Sequence, residues 1–491
     1  MRKQFHMSKM YKKIYFVGIK GVGMATLALI AKQAGFEVCG SDVSSEFITD
    51  KILEKEGIDI FPGFSEGNIN DFVLDTNISE VLVVTTAAHG GFDNAESSFA
   101  KSLGIKVITH GQAVGVFMKG EIFGRQNQIG ISIAGSHGKT TIAAFIAFVF
   151  SKLGFDPSYT VGTSEIFPLG SAGHFGQGKY FIAEADEYIS EIKHDRKPKF
   201  LYQNPNFLIL NNIDFDHPDY YKTIEDVEIA FGDLISNVQE NGSIILNGDD
   251  FRLEKLCKKI RRDISVITFG TDKKNDISIS EYVQAGKQSS FKVYSKGTEL
   301  GLFKISLPGY HNAKNSLAVI ALLLELGVTV NKIQEMLVFF AGTKRRSELL
   351  GQMQNGTLVI DDYAHHPLEI KKTLEALKNA YPKSKITCIF QPHTYSRTNA
   401  LLTDFVSAFS DADTLILLPT FASARDEEED VDVYNQKLIE EFRKINKNVL
   451  MLQSFDNVIE YIIKNTHDLN RVVVTMGAGD VYKIGYSLIE K

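Results

Sequence analysis

A glycine-rich segment near the middle of the chain carries the side chains best suited to phosphate chemistry. Residues 135–141 read Gly-Ser-His-Gly-Lys-Thr-Thr and lie between a β-rich run and an apolar run with helical spacing. Backbone N–H groups in such a turn bind phosphate oxygens, helped by the positive end of the following helix. Lys139 would neutralise the β- and γ-phosphates, and the Thr140 hydroxyl would hold Mg²⁺. Ile133 occupies the first glycine position of the general P-loop, so the match to that motif is incomplete.

Carboxylates and other polar groups follow two further apolar runs. Glu184-Ala185-Asp186-Glu187 ends one predicted strand, and carboxylates beside a P-loop suit the metal of a bound nucleotide. Residues 212–217, Asn-Ile-Asp-Phe-Asp-His, follow another strand and suit a second metal or an acyl-phosphate site. Both clusters therefore predict ligands at the carboxyl ends of strands.

A second glycine loop lies close to the start of the chain. Gly18, Gly21 and Gly23 follow a short strand, and Asp42 follows the next one. Their G-x-x-G-x-G spacing differs from the G-x-G-x-x-G dinucleotide fingerprint, but such a loop can still bind a diphosphate. Asp42 can accept a hydrogen bond from a ribose or base group. Binding of NAD at this loop remains an alternative.

The last third of the chain holds three more polar segments. Residues 344–346 form a basic turn, Lys-Arg-Arg. Residues 361–367, Asp-Asp-Tyr-Ala-His-His-Pro, and 391–397, Gln-Pro-His-Thr-Tyr-Ser-Arg, each end a predicted strand. Open α/β sheets bind ligands at such strand ends, so both segments are candidate binding loops.

Three runs of alternating strands and helices must position these segments. The first begins at Lys13, the second follows a polar connector at 120–128, and the third follows Gly342. The polar stretch 271–300 alternates like antiparallel strands. The pattern predicts an α/β fold of three domains: an N-terminal Rossmann-like domain (1–120), a central P-loop ATPase-like domain with a parallel sheet (121–341) and a C-terminal Rossmann-like domain (342–491).

The composition is that of a globular protein, with 44% hydrophobic and 23% charged residues in 491. The 53 Lys and Arg against 60 Asp and Glu give a net charge of −7, which disfavours a nucleic-acid binder. Three widely spaced cysteines show no disulfide or metal pattern and fit a reducing cytoplasm. No apolar stretch is long enough to span a bilayer, and the basic start lacks the apolar core of a signal peptide. The acidic run 426–430 is predicted to be a solvated loop.

Taken in order, these segments resemble the Mur ligase family of peptidoglycan precursor synthesis. The resemblance covers nearly the whole chain and rests on GIKGVGM, GSHGKTT, EADE, NNIDFDHPD, GYHNAKNSLA, GTKRRSE, DDYAHHP, QPHTYSRT, FASARDE and MGAGD. Ten motifs in family order are far more specific than any one of them. IDFDHPDYY, DDYAHHP, QPHTYSRT and ASARDE resemble the branch that joins L-alanine to UDP-N-acetylmuramate. EADEYISEIKHDRKPKF resembles a recycling branch that joins a tripeptide to the same sugar acid, which is the alternative.

The resemblance implies a cytoplasmic ligase of cell-wall biogenesis that forms an amide bond, depends on ATP and Mg²⁺, and releases ADP. The lactyl carboxylate of UDP-N-acetylmuramate would attack the γ-phosphate of ATP. The amino group of L-alanine would then attack the resulting acyl phosphate. The implied partners are these small molecules, with no nucleic acid and no membrane insertion.

The resemblance also implies roles for individual residues. The ATP site would comprise Gly135, Ser136, His137, Gly138, Lys139, Thr140, Thr141, Asn312, Asn315, Arg346 and Asp362. The UDP portion of the sugar would bind Gly18, Gly21, Gly23 and Asp42, and the amino acid would bind Tyr363, His365, His393 and Arg397. The metal ligands would be Thr140, Glu184 and His217, and the catalytic residues Lys139, Glu184, His217 and Arg346. Because these ligands come from three domains, we expect the third domain to close when ATP binds.

Two rival hypotheses leave more of the sequence unexplained. An NAD-dependent oxidoreductase would use the N-terminal glycines but leave GSHGKTT and EADE without a role. A P-loop ATPase or regulatory module without ligase chemistry would leave the N-terminal domain and the HHP and QPH loops without one.

Overall fold

The computed structural model describes residues 10–421, 431–444, 448–465 and 470–490. Of the FASARDE segment only Phe421 is described, and the acidic run 426–430 lies outside the described residues. Within the described ranges, none of the helices is both long enough and apolar enough to cross a membrane.

The N-terminal unit is a fully parallel sheet flanked by helices. Its strands are β1 Lys13–Val17, β2 Glu37–Asp42, β3 Asp59–Pro62, β4 Val81–Thr85 and β5 Lys106–Thr109, and its helices are α1 Val22–Gln33, α2 Asp50–Lys55, α3 Glu66–Val73, α4 Ala95–Ser102 and α5 His110–Lys119. The strand order is β3-β2-β1-β4-β5. The chain reverses its winding direction between β1 and β4, which is where open α/β sheets bind ligands. The loop after β1 holds the predicted glycines.

The central unit contains the longest sheet. Its strands are β6 Ile129–Ala134, β7 Ser158–Ile166, β8 Gly170–His174, β9 Tyr180–Ala185, β10 Phe207–Leu210, β11 Ser243–Asn247, β12 Ser265–Gly270, β13 Ile277–Ala285, β14 Gln288–Ser295 and β15 Thr298–Ile305. Its helices are α6 Lys139–Lys152, α7 Ile224–Ser236, α8 Phe251–Cys257, α9 Tyr310–Glu325 and α10 Val330–Leu337. The order is β15-β14-β13-β12-β11-β10-β6-β9-β7-β8. The pairs β13–β14 and β14–β15 are antiparallel, which confirms the prediction for residues 271–300.

The C-terminal unit has a six-stranded sheet. Its strands are β16 Glu348–Gln352, β17 Leu358–Asp362, β18 Lys385–Phe390, β19 Thr414–Leu417, β20 Val449–Met451 and β21 Arg471–Met476, and its helices are α11 Pro367–Ala380, α12 Tyr395–Ala400, α13 Leu402–Ala408, α14 Val431–Arg443, α15 Phe455–Asn465 and α16 Tyr482–Ile489. The order is β16-β17-β21-β18-β19-β20, and among these described strands the β16–β17 pair is antiparallel and the other pairs are parallel. The predicted α/β fold with three sheets is therefore confirmed.

Contacts between the three units fix the surfaces that face the candidate site. Helix α1 packs on β7 and β8, and the hydroxyls of Thr26 and Thr160 lie 2.7 Å apart at that contact. On the other side, the backbone N–H of Lys344 donates to the carbonyl of Glu165 in β7 at 3.0 Å. The chain thus enters the C-terminal unit while still bonded to the central sheet, directly before Arg346.

Candidate active site

The P-loop connects β6 to α6 and is braced by the segment that follows β10. Gly138 has φ +83°, and a Cβ there would lie 2.6 Å from the Asn211 amide nitrogen. Glycine at 138 is therefore required both by conformation and by space. The backbone N–H of His137 donates to the side-chain oxygen of Asn212 at 2.8 Å, and the Ser136 hydroxyl donates to the carbonyl of Asp214 at 3.0 Å. These hydrogen bonds fix the loop in an open conformation.

Lys139 is charged and held in place by a carboxylate from the end of β9. Its ammonium donates to the two carboxylate oxygens of Glu187 at 3.0 and 2.8 Å, and to the carbonyl of Gly135 at 2.6 Å. Burial alone would lower the pKa of Lys139, but the carboxylate of Glu187 outweighs burial and raises that pKa. The sequence marks Glu187 only as part of an acidic strand end, and 48 residues separate the pair.

Thr140 and Glu184 bring a hydroxyl and a carboxylate together at the first turn of α6. The Thr140 hydroxyl lies 3.2 Å from Glu184 Oε2, and Glu184 Oε1 accepts the backbone N–H of Gly162 at 2.6 Å. An Arg346 Nη2 atom approaches the same hydroxyl at 3.5 Å. Hydroxyl and carboxylate oxygens are the ligands that Mg²⁺ prefers, so this pair fits the predicted metal.

His217 faces the same region from the loop after β10. Its φ is +56°, and its backbone N–H donates to Asp216 Oδ1 at 2.7 Å. Its ring packs on Tyr188 with centroids 4.6 Å apart. The left-handed backbone and the ring contact orient the imidazole, whose Nε2 lies 3.8 Å from Asp216 Oδ2.

The residues predicted to bind the amino-acid substrate lie together in the C-terminal unit. His365 has its ring centroid 5.3 Å from that of Tyr363 and 6.4 Å from that of His393. Burial and the nearby Arg397 guanidinium lower the pKa of His365 to about 3, so its ring is neutral. Arg397 itself bonds to Asp216 in the central unit, with Nε to Oδ1 at 2.8 Å. This buried ion pair across two units was not predicted from the sequence.

Glu369, in the first turn of α11, contacts three residues of the site, a role that was not predicted from the sequence. Its Oε1 lies 3.3 Å from His137 Nδ1 and 3.8 Å from Arg346 Nη1, and its Oε2 lies 3.7 Å from His365 Nδ1. Burial would raise the pKa of Glu369, but the hydrogen bond and charge of His137 and the charge of Arg346 hold it well below its ordinary value. Acidic residues are common in first turns because they complement the helix dipole, so the sequence gives no sign of this role.

The other predicted ATP residues line a solvent-open cavity beside the P-loop, with about 680 Å³ of space when its open mouth is included. Asn312, Asn315, Arg346 and Asp362 share it with His137, Gly138 and Thr141. Asp362 accepts the backbone N–H groups of Ser347 at 2.7 Å and Ala364 at 2.8 Å, so its carboxylate shapes the loop that carries Arg346. The structure thus brings residues 135–141, 312–315, 346 and 362 together.

Hydrogen bonds to the Asp42 carboxylate fix the conformation of the N-terminal glycine loop. A Cβ on Gly18 would lie 2.5 Å from a Thr86 methyl carbon, and its φ is +79°, so glycine is required there. Asp42 is 1% exposed, and its oxygens accept the N–H groups of Lys20 at 2.7 Å and Val43 at 2.8 Å. Asp42 therefore orders the loop, and its contact with a ligand stays a prediction.

One solvent-open cleft of about 1380 Å³ joins these groups from all three units. It is lined from the N-terminal unit by Gly21 and Gly23, from the central unit by Ser136, Gly138, Lys139, Thr140, Glu184 and His217, and from the C-terminal unit by Arg346, Tyr363 and His365. Fold and site together define a P-loop nucleotide-dependent enzyme whose reaction cleft is built by three α/β units.

Comparison with known proteins identifies the family. Three family profiles match consecutive parts of the chain: Mur ligase family, catalytic domain, at 13–121; Mur ligase middle domain at 133–323; and Mur ligase, glutamate ligase domain, at 345–479. The chain belongs to the Mur ligase family.

Individual relatives narrow the comparison. The UDP-N-acetylmuramate–L-alanine ligase of Caldanaerobacter subterraneus subsp. tengcongensis is 37% identical over 484 residues, which is 98% of each chain. The crystal structure of UDP-N-acetylmuramate-alanine ligase from Thermotoga maritima matches with a TM-score of 0.79 and 26% identity, over 97% of this chain and 98% of that one. A murein peptide ligase from Psychrobacter arcticus 273-4 matches with a TM-score of 0.71 over the same shares, but its 24% identity shows the fold alone.

Proposed function

We propose that this chain is the ligase that joins L-alanine to the lactyl carboxylate of UDP-N-acetylmuramate in peptidoglycan precursor synthesis, with release of ADP and phosphate. The observation that carries the proposal is the shared cleft, in which Lys139 and Glu184 face the N-terminal glycine loop and the Tyr363–His365 segment. A nucleotide, a nucleotide-linked sugar and a small amino acid can meet there. Full-length relatives named for this activity support the same assignment.

The chemistry explains why a nucleotide is needed. A free carboxylate is a poor acyl donor because its leaving group would be oxide. In the first step, a carboxylate oxygen bonds to the γ-phosphorus of ATP, and the bond between that phosphorus and the β–γ bridging oxygen breaks to release ADP. In the second step, the alanine nitrogen bonds to the acyl carbon, the C–O bond to phosphate breaks, and the amine loses a proton.

The difficulty of the first step is electrostatic, since a carboxylate and a triphosphate repel each other strongly away from water. Lys139 and Arg346 supply fixed positive charge, and the P-loop supplies backbone N–H donors. Thr140 and Glu184 would hold one Mg²⁺ at the β- and γ-phosphates, and His217 is proposed as a ligand for a second ion. Both ions would neutralise negative charge on the reacting groups. Each of these groups is already oriented by its neighbours, so little reorganisation is required.

The remaining site assignments are proposed on the same geometry. The cavity lined by Asn312 and Asn315 suits the adenosine of ATP, since it adjoins the P-loop. The loop of Gly18, Gly21 and Gly23, with Asp42 beneath it, suits the UDP portion. The Tyr363, His365 and His393 group suits the amino acid, whose carboxylate would compete with Asp216 for Arg397.

Domain limits and location complete the proposal. The limits 1–120, 121–341 and 342–491 are supported by the three sheets and by the three matched ranges. A cytoplasmic location is supported by the proposed substrates, ATP and a nucleotide-linked sugar, and is compatible with the free cysteines Cys39, Cys257 and Cys388.

The amino substrate is tested by an ADP-release assay with UDP-N-acetylmuramate and, in turn, L-alanine, L-serine, glycine and the tripeptide. We expect ADP release to require the sugar acid and to be at least tenfold faster with L-alanine than with the other acceptors. Full activity with the tripeptide and none with L-alanine would select the recycling reaction instead. ADP release without any sugar would reject both reactions.

A further inference from the structure

A third cation of the cleft, Lys199, has no role in the mechanism described above. It lies in the segment Arg-Lys-Pro-Lys-Phe at 196–200 and lines the same cleft as Lys139, Gly23 and His217. Its side chain is 19% exposed. Lysine is seldom this buried, and its partner of opposite charge shows which part of the cleft its ammonium faces.

Lys199 lies where the N-terminal and central units meet. Helix α5 approaches its backbone closely, because a Cβ on Gly111 would lie only 2.9 Å from the Lys199 Cα. The neighbouring His110 packs against the N-terminal glycine loop, since a Cβ on Gly23 would lie 2.7 Å from its Nε2. Lys199 is therefore next to the loop proposed to hold the UDP-sugar.

Lys199 also reaches the phosphoryl-transfer centre. Its Nζ lies 2.7 Å from Oδ2 of Asp186, which follows β9 directly. Asp186 lies between Glu184, the proposed metal ligand, and Glu187, whose carboxylate accepts from the Lys139 ammonium at 2.8 Å. The Lys199 ammonium lies between the sugar side and the phosphate side of the cleft.

This placement matches the lactyl carboxylate, a substrate anion to which none of the other cations is assigned. Lys139 and Arg346 lie at the P-loop and are assigned to phosphate oxygens. The reaction under "Proposed function", on which this inference rests, needs the lactyl carboxylate between the UDP-sugar loop and the γ-phosphate. An ammonium has three N–H donors, and in the described part of the chain Asp186 accepts one of them, which leaves donors for a substrate.

We propose that Lys199 binds the lactyl carboxylate of the UDP-sugar acid and so makes the cleft select an acidic sugar over its neutral counterpart. The ammonium stabilises the carboxylate away from water and holds it beside the γ-phosphate. Its charge acts on the carboxylate and not on the phosphates bound at the P-loop. Asp186 keeps the ammonium in position, and its carboxylate shares the ammonium with the carboxylate of the substrate.

The test compares the binding of two nucleotide sugars by isothermal titration calorimetry. UDP-N-acetylmuramate carries the lactyl ether with its carboxylate, and UDP-N-acetylglucosamine has a hydroxyl in place of that ether, while the diphosphate charge is the same. We expect K199M to lose at least tenfold in affinity for the acid and less than twofold for the neutral sugar. K199R, which keeps the positive charge, should recover most of the preference for the acid.

Two controls separate this role from structural damage. Lys197 is exposed and lies over the Tyr202 ring at 4.5 Å, so K197M should leave both affinities unchanged. K199M leaves the Asp186 carboxylate without its cationic partner, which can destabilise the fold. The double variant D186N/K199M removes both charges and should show the same selective loss. Circular dichroism and the melting temperature report whether each variant is folded.

The outcomes are distinguishable. If folded K199M and the double variant keep the wild-type preference, or lose both sugars equally, the inference is overturned while the proposed function stands. If the wild-type chain binds neither sugar, the proposed function fails and this inference fails with it.

Discussion

At the scale of single residues, the site is built from charges that are paired within the protein. Lys139 contacts Glu187, Arg397 contacts Asp216, and Arg346 contacts Glu369. Each pair is largely buried, and the carboxylates around each cation outweigh the effect of burial and keep that cation charged and oriented. Substrate phosphates or carboxylates can then compete for cations whose positions are already set, which reduces the reorganisation that binding requires.

The role of Lys139 is testable by substitution. K139A should lower kcat by about a thousandfold or more, because one preorganised charge on the transferring phosphoryl group is lost. K152A, an exposed position on the same helix, is the control and should keep wild-type rates. Because K139A leaves Glu187 buried and unpaired, K139M/E187Q should be equally inactive but better folded. A near-normal rate in either Lys139 variant would reject the assigned role.

His137 makes a pH-dependent contact between the P-loop and α11. Burial lowers its pKa, but the carboxylates of Asp214 and Glu369 outweigh burial and raise it to about 8. The unfolded chain has the ordinary value of about 6.5, so the contact stabilises fully below pH 6.5 and is lost as pH rises through 8. The shift corresponds to about 2 kcal/mol.

We therefore expect H137Q to melt below the wild type by a margin that is largest at pH 6.5 and closes towards pH 9. The measurement is the melting temperature of both proteins across that range. A margin for H137Q that is independent of pH would contradict the assignment of charge to His137.

At the scale of elements, the sequence predicts the strand–loop–helix units that carry the site. The apolar runs of β1, β6 and β10 are interrupted by glycine or polar residues at the points where the strands end, and that local pattern is sufficient to locate the loops. The hairpin β7–β8 escaped prediction because its sequences, SYTVGTSEI and GSAGH, are polar and rich in glycine. Its strands are specified by packing against α1, which lies more than 120 residues away in the sequence.

The ion pairs inside the site likewise could not be predicted from local sequence patterns. Glu187 and Glu369 sit at a strand end and in a first helical turn, where acidic residues are frequent for other reasons. Their partners are 48 and 232 residues away in the chain. Only the tertiary fold decides that these two carboxylates, rather than their neighbours, meet Lys139 and His137.

Helix α11 should couple the C-terminal unit to ATP through Glu369. E369Q keeps the shape of the side chain but removes the charge that orients His137 and Arg346, so we expect the KM for ATP to rise about tenfold with a smaller change in the KM for L-alanine. E375Q, at an exposed position of the same helix, is the matched control. If steady-state kinetics give the same KM for ATP in E369Q and wild type, α11 does not order the ATP site.

At the scale of the whole molecule, the three units act on one another through the cleft. The N-terminal and central units share a continuous core, since Phe181 and Ala183 of β9 pack with the apolar residues of α1 and α5. The C-terminal unit contacts the central unit through the Arg397–Asp216 and His137–Glu369 pairs and a short backbone pairing at Thr343. Apolar packing makes the first contact the more rigid, and the ionic contact is the one suited to opening and closing.

We accordingly expect the C-terminal unit to move when substrates bind. Small-angle X-ray scattering should give a smaller radius of gyration with a non-hydrolysable ATP analogue plus UDP-N-acetylmuramate than without them. Each ligand alone provides a control for partial closure. Identical scattering curves under all conditions would argue against closure.

The central claim is that the P-loop presents ATP to a neighbouring carboxylate, which becomes phosphorylated before the amine attacks. The most direct measurement follows an oxygen label: UDP-N-acetylmuramate with ¹⁸O in both carboxylate oxygens is turned over with ATP and L-alanine, and the products are analysed by mass spectrometry. One ¹⁸O should appear in inorganic phosphate and one should remain in the amide product. Unlabelled phosphate, formed while the amide product accumulates, would contradict the acyl phosphate and with it the proposed use of this cleft.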